Sequence, residues 1–117
     1  MTVKQRISLV KIGVDIEAVL DTFCDDEETY LVCLQKFVKD ANYDNLIKAI
    51  EEGNPTKAFE AAHSLKGVTG NLGFTELYEQ FVVITEVFRA GKIDYDPDNL
   101  SEIKRLYKIV TETIESL

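Results

Sequence analysis

The chain of 117 residues has 45% hydrophobic side chains, enough for one core and one domain. Its 13 Lys and Arg against 21 Asp and Glu give a formal net charge of −8, which opposes phosphate backbones and anionic bilayers, so neither nucleic acid nor membrane is an expected partner. Cys24 and Cys33 form no CxxC and have no nearby histidine, so no zinc or redox site is expected.

Residues 1–12 read as an N-terminal extension and 13–117 as the folded domain. Lys11 and Asp15 interrupt the apolar run at the N-terminus before it reaches a signal-peptide core, and no stretch reaches membrane-span length. A soluble, cytoplasmic monomer is expected. A short helix opens at Asp15, an N-cap candidate, with Ile16, Val19 and Leu20. A longer one follows the Asp25-x-x-Glu28 capping pattern and places Tyr30, Leu34, Phe37 and Ala41 on one face. Leu46, Ile47 and Ile50 form the next helix, ended by Gly53. Asn54-Pro55, a cap residue followed by proline at the first helical position, starts the helix that holds the only histidine.

After Gly73 an apolar face runs through Leu77, Phe81, Ile84 and Phe88 to Ala90-Gly91. Asp96-Pro97 then caps a last helix with a bundle seam at Leu100, Ile103, Tyr107, Val110, Ile114 and Leu117. Nothing alternates at period two for long enough to make a sheet. The fold class is therefore all-α: an antiparallel up-and-down four-helix bundle with one or two short N-terminal helices.

The stretch AHSLKGVTGNLG, residues 62–73, places three glycines within ten residues of His63. At about 100° per residue, Ala58, Ala62, Leu65, Thr69 and Leu72 make the core stripe and His63 falls about 140° from Ala58. Phe59, Glu60, Lys66, Gly67 and Gly70 share its side. A lone histidine is most often a structural or incidental surface residue. That reading gives no reason for Gly67 and Gly70, each costing about 0.5–1 kcal/mol relative to Ala within a helix. Glycines beside an exposed imidazole fit a nucleophile that another macromolecule must approach closely. If His63 carries a phosphoryl group, Lys66, one turn along, offsets part of the added charge.

These residues resemble the signature of histidine-containing phosphotransfer (HPt) domains. The match lies in A-H-S-L-K-G followed by G-N-L-G, and VDIEAVLDTFCDDEETYLVCLQKFVKD is similar to the family's opening. The resemblance implies that His63 accepts the phosphoryl group, Lys66 assists and Gly67 leaves room for an incoming receiver domain. It also implies relay between receiver aspartyl phosphates and His63 in a multistep two-component pathway, with response-regulator receivers and a hybrid sensor histidine kinase as partners. No cofactor or metal is expected on this chain, since Mg²⁺ would come with the receiver. GVTGNLG lacks the context of a nucleotide-binding loop, so the chain is expected to be a phosphocarrier and not a kinase. The alternative is a helical adaptor that binds a receiver without being phosphorylated.

Two positions depart from the family pattern: Cys24-Asp25 stands where Gly-Asp is frequent, and Thr85 stands where several members have a Gln near the imidazole. If Thr85 faces His63, then Tyr78, Val82 and Arg89 share its strip, and Phe59, Gly67, Gly70, Tyr78, Val82 and Thr85 form the expected partner surface. A broad core face closed by an N-terminal helix would account for the same apolar residues.

Overall fold

The computed structural model describes residues 1–117 and contains seven helices: α1 (Val3–Lys11), α2 (Ile16–Thr22), α3 (Glu27–Val38), α4 (Asn42–Glu51), α5 (Pro55–Leu72), α6 (Thr75–Arg89) and α7 (Pro97–Glu115). Helices α3–α7 make up the up-and-down bundle: α5 packs most extensively on α6 and α4, and α6 on α7, while α3 packs on both α7 and α5. The short helices α1 and α2 precede them. No helix is long and apolar enough to cross a membrane.

Capping chemistry sets most boundaries. Asp15, Asn54 and Asp96 each accept a backbone N–H in the first turn of α2, α5 and α7, satisfying donors that have no intrahelical partner. Residues 1–12, read as an extension, hold α1. Its start is fixed by a reciprocal capping box between Thr2 and Gln5, and its Leu9 is fully buried in the same core as the bundle helices.

The start of α3 corrects the sequence reading by one residue. Asp26, not Asp25, is the N-cap, accepting from the Thr29 amide at 3.0 Å and from the Thr29 hydroxyl at 2.7 Å. Asp25 is needed in the turn, where it and Cys24 both have positive φ, 60° and 53°. A left-handed conformation costs a non-glycine residue roughly 1–2 kcal/mol, which explains why glycine suits the first of these positions. The end of α3 also differs from expectation. The helix stops at Val38, and Ala41 is exposed. Asp40 accepts the Asn42 amide at 2.8 Å, a local bond that competes with helix continuation and separates α3 from α4.

On α7 the seam shifts slightly, because buried Leu106 joins Ile103, Val110 and Ile114 while Leu100 and Tyr107 are half-buried. Tyr107 stacks on Tyr43 of α4 with ring centroids 3.7 Å apart. The Tyr30 hydroxyl donates to the Leu72 carbonyl at 2.8 Å, satisfying an end carbonyl of α5, and burial pushes this phenol well above its usual pKa. Gly73 follows in the left-handed conformation, where a Cβ would collide with Val19 of α2. That close approach holds α2 against the end of the histidine helix.

The N-terminal helix is pinned by charge. The Met1 ammonium and Arg6 both pair with Glu27 at the start of α3, and the ammonium hydrogen bond is the main reason the Glu27 carboxyl is held below the usual range. A folded-state pKa below the unfolded value stabilises above the unfolded pKa of about 4.3 and loses that contribution as pH falls through the lowered value. Backbone chemical shifts of α1 should therefore move toward undocked values in that acid window before those of α5 do. Glu27→Gln should abolish the difference between the two helices. An α1 insensitive to pH in the unaltered protein would show that the pair does not hold it.

Candidate functional site

The site is built on the outer face of α5. Ala58, Ala62, Leu65, Thr69 and Leu72, the expected core stripe, are all buried, with Ala61 beside them. That registry turns His63 outward, and it is exposed. Thr69, the polar member of the stripe, donates to the Leu65 carbonyl at 2.8 Å and so carries no unmet hydroxyl into the core.

His63 stacks on Phe59 one turn earlier, with centroids 5.4 Å apart and an interplanar angle of 24°. The Arg89 guanidinium of α6 lies 4.9 Å from the centroid of the same Phe59 ring and also pairs with Glu86. Phe59 is thus a half-buried platform that orients the imidazole and seats a cation from the neighbouring helix. Lys66 is half-buried and belongs to none of the five ion pairs, so its ammonium is uncommitted.

The two helical glycines do different things. A Cβ on Gly67 would meet nothing within 4 Å, so the crest of α5 beside His63 is open. A Cβ on Gly70 would lie 3.0 Å from Cδ1 of Tyr78, whose ring rests on the bare backbone. Gly70 therefore seats a side chain of its own bundle while staying exposed, so the close approach of Tyr78 accounts for this glycine without a partner. Lys66, Gly67, Gly70, Asn71, Thr75 and Tyr78 line an open depression of about 520 Å³ on this flank.

Val82 is half-buried on α6, whereas Thr85 is completely buried, so a partner cannot touch it as expected. Its position explains this: about 40° from Phe81 on the helix wheel, Thr85 lies at the edge of the apolar face, while Val82 lies about 100° away. The Thr85 hydroxyl has no hydrogen-bond partner.

Sequence reasoning missed the opposite flank of α5. An apolar groove of about 450 Å³ lies there between α3 and α5, lined by Phe23, Cys33, Phe37, Val68 and Leu72 with polar Lys36, Asp40 and Asn71. The available signal was Val68, an apolar residue about 80° off the Ala58 direction on the side away from Phe59.

The Hpt domain family model matches residues 18–113. The chain belongs to the Hpt domain family, whose members are phosphotransfer modules of two-component systems, carry no kinase or ATP-binding domain, and interact with receiver domains and kinases. Comparison with curated proteins and with solved structures found no match.

Proposed function

We propose that this chain relays a phosphoryl group between receiver-domain aspartates and His63 in a multistep phosphorelay. The observation that carries the reading is the pairing of an exposed imidazole with an open backbone crest one turn away at Gly67. Transfer onto the protein breaks the acyl phosphate P–O bond, forms a P–N bond at Nε2, and releases the aspartate carboxylate. The chain's share of this work is positioning and charge. Phe59 orients the ring, and Lys66 and Arg89 place positive charge near the group carried on an otherwise acidic protein. The Mg²⁺ and the acidic cluster that handle the aspartyl phosphate belong to the receiver, and phosphoryl transfer then needs alignment more than protein covalent chemistry.

A receiver seated over Gly67 reaches Phe59, Tyr78 and Val82 on the α6 flank and the Phe23–Cys33–Val68 groove on the α3 flank. The α3 flank supplies the more apolar lining, the composition suited to the centre of a small transient interface. Chemical-shift mapping with a cognate receiver should perturb Gly67, Val68 and Cys33 more strongly than Tyr78. The reverse order would place the centre on α6.

The reaction is tested by incubating the chain with phosphorylated receivers without ATP. Label should appear on the chain as an acid-labile, alkali-stable phosphoramidate. A receiver that binds, keeps its phosphoryl group and never labels the chain would establish the adaptor alternative instead.

A further inference from the structure

We propose that the outer face of α1 is a second docking surface, which takes a partner helix bearing an apolar stripe edged with carboxylates. Helix α1 precedes the family-matched residues 18–113. Its inner side is satisfied by fully buried Leu9, yet Val3, Ile7 and Val10 are 74%, 51% and 57% exposed. At intervals of four and three they form one stripe. All three are β-branched, on exposed helical positions where Lys, Glu or Ala would suit the helix better. Folding gives no reason for them.

The stripe continues onto the bundle. Val10 and Ile109 of α7, itself 37% exposed, border one groove of about 260 Å³ floored by Phe74, Leu77 and Leu106. A contiguous exposed apolar surface of this kind marks an interaction site more often than an isolated exposed valine does.

Charge identifies the occupant. Helix α1 holds Lys4, Arg6 and Lys11 and no acidic residue, on a chain of net charge −8. Arg6 is committed to Glu27, and Arg105 at the groove rim is committed to Glu102, with Glu76 the carboxylate at that rim. Lys4 and Lys11 belong to no ion pair and flank the same edge of the stripe, at about 100° and 80° from Val3. Pairing α1 with α1 of a second copy would set cations against cations. An anionic bilayer is opposed by the seven carboxylates of residues 15–28, a stretch without a single Lys or Arg that follows directly on α1. A helix with leucine-like knobs and acidic residues along one edge satisfies both the apolar stripe and the two unpaired lysines.

The test uses the full isotopically labelled chain and a helical peptide of about four turns carrying Leu at i, i+4 and i+7 with Glu along one edge. A control peptide has Lys in place of Glu. The Glu peptide should shift amide signals of α1 and around Ile109, bind at least about ten-fold more tightly than the Lys peptide, and weaken as salt is raised. Ile7→Ser should weaken binding with helicity unchanged, and combined Lys4→Glu and Lys11→Glu should reverse the peptide preference. Phosphoryl transfer to Ile7→Ser protein should match the unaltered chain, which separates this surface from the transfer site. Shifts mapping to α5, equal binding of the two peptides, or no binding would overturn the proposal. So would dimerisation that Ile7→Ser abolishes, or capture by phosphatidylserine vesicles that depends on α1.

Discussion

His63→Gln should lose all labelling from a phosphorylated receiver while remaining folded. His63 is the only histidine, so no second imidazole can take over, and an amide side chain offers no nitrogen nucleophile for phosphorus. The residue is exposed and its one close aromatic contact is Phe59, a half-buried neighbour on the same helix, so the loss in stability should stay within about 0.5 kcal/mol. Thermal unfolding and circular dichroism check the second half of this expectation. The receiver should still bind, since the proposed contact area lies mainly in the groove and along the crest. Binding retained with transfer abolished separates the nucleophile from the docking surface. Labelling that survives in His63→Gln would move the acceptor to another residue and remove the basis of the relay.

The residues legible in the sequence are those whose role is set by near neighbours along the chain. Asn54-Pro55 and Asp96-Pro97 announce helix starts because a capping side chain and a proline lacking an N–H act within one turn. The outward aspect of His63 follows from helical period alone. What was not legible depends on contacts between segments distant in sequence. The distinction between Gly67 and Gly70 exists only because the Tyr78 ring of α6 lies on one of them. The positive φ of Cys24 and Asp25 is imposed by the turn into α3, and nothing in their side chains favours it strongly enough to be read in advance. Thr85 was misplaced because a residue at the edge of an apolar face is buried or exposed according to how wide a neighbour it meets. The groove beside Val68 needed α3 to form its other wall. The family match over residues 18–113 agrees with the sequence-level resemblance and spans the stretch around His63.

Gly67→Leu should slow transfer from a receiver by about 100-fold, the scale associated with displacing a reacting group by about 1 Å. The space above Gly67 is empty in the free protein, with nothing within 4 Å of where a Cβ would stand, so a leucine fits the helix and intrudes only on a docked partner. Gly67→Ala isolates the intramolecular part: it should stabilise α5 by up to about 1 kcal/mol, because alanine is the better helix former and meets no neighbour. Gly70→Ala should not show that gain. Its Cβ presses to 3.0 Å on the Tyr78 ring, and moving the ring offsets the improved propensity. Receiver titrations and single-turnover transfer on the three variants, each with a thermal melt, make the comparison. If Gly67→Leu transferred at the unaltered rate, the crest would not be the approach path. The glycine would then have to be explained by something other than access to His63.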